Sequence, residues 1–165
     1  MVRTQQAKRH DILFYTTKIW GITMKNAHIL LVEDNEGDIL LTKEALDEGK
    51  IINSVSVVKN GKDAVDFLFK NGKFKDVKTP DLVLLDINLP LKNGHEVLQL
   101  IKTDERTSHI PVIMLTTSSS EIDIKMSYKH HANCYITKPV EVDDFIDAVT
   151  TIEEFWFSLV VLPEE

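Results

Sequence analysis

The chain holds a single cysteine, Cys134, among its 165 residues. One thiol cannot build a disulfide framework, and its solitude points to a reducing cytoplasm. No apolar run approaches the roughly 20 residues a membrane span needs, and Ile12-Leu13-Phe14-Tyr15 is too short for the core of a secretion signal. Basic charge is also scarce. The 19 Lys and Arg against 26 Asp and Glu leave a net charge of −7 and a pI near 5.4. DNA binding is therefore not expected, because it needs a clustered cationic face. Internal repeats and low-complexity segments are absent. What is present, 43% hydrophobic and 27% charged residues, is the make-up of one soluble domain large enough to stabilise itself without staples.

From Ala27 onward, strand-like and helix-like segments alternate. His28-Ile29-Leu30-Leu31-Val32 stops at Glu33-Asp34, and a helical pattern of Ile39, Leu40, Ala45 and Leu46 runs to Gly49. Val55 to Val58 reads as a second strand ended by the turn signal Asn60-Gly61, before a helical face of Ala64, Val65, Phe67 and Leu68. Leu82-Val83-Leu84-Leu85-Asp86 has four aliphatics in a row, the mark of a strand buried on both faces. A loop with Pro90 and Gly94 then leads to a helix with Val97, Leu98 and Ile101. Pro111 to Leu115 is a fourth strand, followed by the Thr116 to Ser120 run, whose hydroxyls suit the cap of a helix from Glu121. Tyr135-Ile136-Thr137 is a fifth strand, and Phe145, Ala148, Val149 and Ile152 mark the last helix. Five such units predict an α/β fold, a doubly wound parallel sheet with helices on both faces, since right-handed crossovers place them there.

The strands end in chemically capable side chains: Glu33 and Asp34, then Asp86, Thr116 and Lys138. Ligands of open α/β sheets bind at this carboxyl edge. Taken singly, an acid or threonine after a strand is usually a cap and Lys-Pro usually a loop. Their joint position at one sheet edge makes coincidence strained. Three carboxylates together stay ionised around a cation, and hard oxygen donors with room for water and phosphate suit Mg²⁺. A lysine and a hydroxyl beside that ion complete a pocket for a transferring phosphoryl group, with a carboxylate as nucleophile.

Val32-Glu33-Asp34-Asn35, Leu84 to Pro90, Thr116, Tyr135 and Lys138-Pro139, at spacings of 30, 19 and 3 residues between Asp86, Thr116, Tyr135 and Lys138, resemble the receiver domain of two-component response regulators. The resemblance covers residues 25–152. It implies the flavodoxin-like strand order 2-1-3-4-5. It also implies that Asp86 accepts a phosphoryl group from a sensor histidine kinase, and that Asp34, Asp86 and the main-chain carbonyl of Asn88 ligate Mg²⁺, with Glu33 acting through water. Lys138 and Thr116 contact the phosphoryl oxygens, Thr116 and Tyr135 form the switch, and the Lys138–Pro139 peptide is cis. Asn88 and Ser118 flank the site. Glu33 to Asp38, Leu89 to Glu96 and the ending Ile152 to Pro163 are further similar to small regulators paired with bacterial phytochrome kinases, which implies a light-sensing kinase partner.

Two rival readings are open. An aspartyl-phosphate phosphatase or phosphotransferase usually wants an acid two residues beyond its nucleophile, and Asn88 cannot donate a proton. An unphosphorylated scaffold would lack an acid or the lysine, and none is missing. Only 26 residues follow Pro139, enough for a helix and a tail, so output through protein contact is expected. In the tail of residues 153–165, Phe155-Trp156-Phe157 and Leu159-Val160-Val161-Leu162 are apolar on all sides, and the surplus predicts an exposed patch on Phe155, Trp156, Phe157, Leu159 and Val160 that a homodimer would cover. Residues 1–24 lie outside the receiver pattern and read as an N-terminal extension without function.

Overall fold

The computed structural model describes residues 26–49 and 51–162. The predicted extension of residues 1–24 lies outside the described residues. Five strands, β1 (Ala27–Val32), β2 (Asn53–Val58), β3 (Leu82–Leu85), β4 (Val112–Thr116) and β5 (Cys134–Thr137), form one parallel sheet in the order β2-β1-β3-β4-β5. The helices are α1 (Glu36–Glu48), α2 (Gly61–Leu68), α3 (Gly94–Thr103), α4 (Glu121–Lys129) and α5 (Val142–Glu154). This is the doubly wound architecture and the 2-1-3-4-5 order anticipated from the sequence.

Alternation along the central strands divides the core between the two faces. Leu30, Val32, Val83, Leu85, Val112 and Met114 pack with the apolar stripes of α2 and α3. Ile29, Leu31, Leu82, Leu84, Ile113 and Leu115 pack with those of α1 and α5. Every residue of β1, β3 and β4 is buried, which explains why these strands read as continuous apolar runs. Helix starts follow side-chain caps: Asn35, Asn60, Asn93 and Ser120 each accept a backbone amide of the helix they precede. Asn93 and Glu96 form a reciprocal capping box at α3.

Beyond α5 the chain continues as a π-helical turn, Phe155–Leu159. Trp156 and Phe157 pack against the molecule's own core, whereas Phe155 and Leu159 are 49% and 76% exposed. The tail thus divides between capping the core and facing solvent. Among the described residues, no helix is long and apolar enough to cross a membrane.

Candidate functional site

The carboxyl edge of the sheet gathers the side chains singled out from the sequence. Asp86 follows β3 directly and is buried, its amide donating to Val32 O at 3.0 Å so that the β1–β3 pairing extends to the site. Asp86 Oδ1 accepts from the Ile87 amide at 2.7 Å, with the Asn88 amide at 3.5 Å. The backbone therefore fixes one carboxylate oxygen and leaves Oδ2 toward the pocket. The turn behind Asp86 is held by Gly94, whose amide donates to Ile87 O at 2.8 Å. A Cβ on Gly94 would sit 2.1 Å from Asp86 O, so only glycine admits this approach of α3 to the strand end.

Glu33 is 3% exposed and Asp34 is exposed; with Asp86 they bring carboxylate oxygens within 4.8 Å of one another. Three hard oxygen donors in that space, one open to solvent, fit the shell of a divalent cation that keeps waters. Asn88, whose main-chain carbonyl was anticipated as a further ligand, is exposed two residues beyond Asp86.

Lys138 is buried, its amide donating to Thr116 O at 2.7 Å, and its Nζ meets three carboxylates. The distances are 2.5 Å to Glu33, 2.8 Å to Asp38 and 3.4 Å to Asp86. Burial alone would lower the lysine's pKa, but hydrogen bonds with Asp38 and Glu33 and the charge of Asp86 outweigh it, so it lies above its ordinary value. Burial pushes the Glu33 carboxyl up, with hydrogen bonds from Lys138 and the Asn35 amide pulling the other way. The ammonium holds the acidic pocket together.

Two details differ from the sequence reading. The Lys138–Pro139 peptide was anticipated as cis and is trans, because the described chain contains no cis bond. Trans is the lower-energy isomer of an X–Pro bond, and with it the ammonium already reaches all three carboxylates. Asp38 was missed altogether. It stands in the first turn of α1, where an acid ordinarily reads as a partner of the helix dipole. Its one signal is Asn35, whose side chain caps the Asp38 amide and starts α1 beside the acidic pair.

Thr116 is fully buried at the end of β4, and its Oγ1 accepts the Ser118 amide at 3.3 Å. Tyr135 packs partly against the core, and its hydroxyl donates to Ser118 O at 2.9 Å. The two residues anticipated as a switch thus meet at one loop residue.

Known proteins resemble this chain in sequence and fold. The chain is 42% identical to the response regulator Rcp1 of Synechocystis over 135 residues, which cover 82% of this chain and 92% of that protein. It is 40% identical to the probable methanogenesis regulatory protein FilR2 of Methanothrix harundinacea over 131 residues, 79% of this chain and 83% of that one. Among solved structures, the phosphorylated cyanobacterial phytochrome response regulator RcpA superposes with a TM-score of 0.83 at 44% identity, covering 85% of this chain and all of that one. The Mn²⁺-bound form of Rcp1 gives 0.81 at 41% identity, with 84% and 99% covered. The family model of the response regulator receiver domain matches residues 29–150. With β3 ending on Asp86, an acidic pair after β1 and a lysine after β5, the chain belongs to the response regulator receiver domain family.

Proposed function

We propose that Asp86 is the phosphoacceptor of this chain, that a sensor histidine kinase supplies the phosphoryl group in a Mg²⁺-dependent transfer, and that the product signals through protein contact. The observation that carries this is the setting of Asp86. It is a buried carboxylate at the end of the central strand, with one oxygen fixed by backbone, the other 3.4 Å from an ammonium, and two further acids beside it. Receiver domains bind a divalent metal, and Glu33, Asp34 and Asp86 are the acidic cluster for it in this chain.

In the transfer, an Asp86 carboxylate oxygen attacks phosphorus while the phosphorus–nitrogen bond to the donor imidazole breaks, and the leaving nitrogen keeps that electron pair. A divalent cation held by Glu33, Asp34 and Asp86 would neutralise charge on the phosphoryl oxygens. Lys138 is the protein's own cation for those oxygens, and it must relax its hold on Glu33 and Asp38 to serve them. Thr116 offers a hydroxyl hydrogen to the new dianion, and Tyr135 follows through Ser118. Asn88 cannot act as a general acid, which favours storage of the acyl phosphate over its turnover. This distinguishes the module from a phosphatase.

The receiver occupies residues 25–152. The relatives named for phytochrome signalling make a phytochrome-type kinase the partner to test first. The exposed Phe155 and Leu159 support a homodimer through the tail, and monomeric sedimentation at micromolar concentration would overturn it. The lone Cys134 thiol supports a cytoplasmic site of action.

The decisive experiment incubates the protein with Mg²⁺ and acetyl phosphate and follows an acid-stable, base-labile adduct. A long-lived adduct, lost in Asp86→Asn and on chelation, is the expected result. No adduct would favour a scaffold, and rapid turnover of many small phosphate esters would favour an enzyme.

A further inference from the structure

Lys138 and a divalent cation draw on the same acids, and the oxygens of those acids are few. Glu33 Oε1 accepts the Asn35 amide at 3.0 Å, and its Oε2 accepts from the Lys138 ammonium at 2.5 Å. Asp86 Oδ1 is held by the Ile87 amide at 2.7 Å, and its Oδ2 lies 3.4 Å from the same ammonium. The two buried members of the acidic cluster thus leave one oxygen each free of the backbone, and Lys138 stands at both. Two positive charges at one carboxylate oxygen repel, so a cation is favoured there only when the ammonium has another anion to lean on.

Asp38 supplies that anion. Among the described residues it is the one carboxylate paired with Lys138 that lies outside the Glu33, Asp34 and Asp86 cluster, at 2.8 Å. Retreat to water is closed to the lysine, whose side chain is 4% exposed, and an ammonium buried without a partner is costly. Asn35 sets both sides of the arrangement. Its amide fixes Glu33, and its side chain accepts the Asp38 amide at 3.0 Å, so α1 begins with Asp38 beside the lysine. The main chain of Lys138 is pinned separately, by its amide on Thr116 O at 2.7 Å.

We infer that Asp38 is a positioning residue for the metal site: it anchors the Lys138 ammonium, so that Glu33 Oε2 and Asp86 Oδ2 are available to a divalent cation. This rests on the reading of Glu33, Asp34 and Asp86 as the acids that hold the cation. Asp38 acts through Lys138 alone. Without it, the ammonium has only the oxygens of Glu33 and Asp86 to pair with, and it competes for them with the metal.

The test measures Mg²⁺ binding by calorimetry, with no phosphoryl donor present, for wild type, Asp38→Ala and Asp123→Ala. Asp123 is the matched control. It also stands in the first turn of a helix, and its side chain is 29% exposed against 27% for Asp38. Its partners are His95 at 3.0 Å and Ser118 at 2.5 Å. Asp38→Ala is expected to bind Mg²⁺ about fivefold more weakly, while Asp123→Ala stays close to wild type. Both positions are partly exposed, so folding does not decide the comparison. In a Lys138→Met background, with no ammonium to anchor, Asp38→Ala should change Mg²⁺ affinity little. If Lys138→Met does not fold, the comparison with Asp123→Ala decides alone. A loss in Asp38→Ala no larger than in Asp123→Ala, or one that persists in full without the lysine, overturns the inference. The cluster reading then still stands if Asp34→Asn abolishes binding. A wild type that binds no Mg²⁺, or an Asp34→Asn that binds it as wild type does, overturns both.

Discussion

The side chains at the strand ends depend on backbone approaches that leave no spare volume. Gly94 is the clearest case, because the added carbon of Gly94→Ala would meet Asp86 O at 2.1 Å and Ile87 Cα at 2.7 Å. Backbone cannot yield as a flexible side chain can, so the variant should lose about 1–3 kcal/mol of stability. It should also lose phosphorylation, because the displaced atoms are those of the proposed acceptor. Denaturant unfolding and the acetyl phosphate assay check both, and unchanged phosphorylation would mean that the turn tolerates the shift. Residue identities at this edge were legible because a buried charge after an apolar strand has few bland explanations. Asp38, His95 and Asp123 were not legible. Each stands in the first turn of a helix, where acids and polar groups are ordinary, and their contacts form between elements far apart in sequence.

At the scale of elements, the sheet was readable because β1, β3 and β4 are apolar on both faces, which periodicity alone detects. Helix α4 gave only its serine cap, having almost no buried stripe to announce it. The π-helical end at Phe155–Leu159 depends on local packing that residue spacing does not encode. The amino end of β1 carries a pH dependence of its own. His28 is buried there, with Nε2 2.9 Å from Ser56 Oγ on β2 and Nδ1 3.4 Å from Thr79 O in the segment before β3. Burial, the largest influence, lowers its pKa from the ordinary 6.5 despite the Thr79 carbonyl. The unfolded chain therefore binds the proton more readily than the folded one, so this contribution is complete above about pH 6.5 and is lost as pH falls through the lower folded value. Unfolding free energies measured from about pH 7 down to about pH 5 should decline less steeply in His28→Gln than in wild type. An equal decline would show that other groups carry the acid sensitivity.

The whole molecule carries a net charge of −7, and part of that excess is concentrated at one edge of the sheet. Glu33, Asp34, Asp38 and Asp86 meet there with Lys138 as their buried cation, so the pocket keeps a negative field in the absence of metal. A divalent ion that binds only the folded form stabilises it in proportion to the logarithm of its concentration. At 100 times its dissociation constant the gain is about 2.7 kcal/mol, which for a chain of this length raises the melting temperature by roughly 5–10 °C. Asp34 is the best position for the control because it is the exposed member of the cluster. Asp34→Asn should leave the metal-free melting temperature within a degree or two of wild type and remove most of the Mg²⁺-induced rise. Glu33→Gln cannot serve, since it also breaks the buried pair with Lys138. NaCl at matched ionic strength separates site binding from general screening of the acidic surface. A rise that NaCl reproduces, or that survives Asp34→Asn in full, would place the stabilising charge effect elsewhere on the molecule.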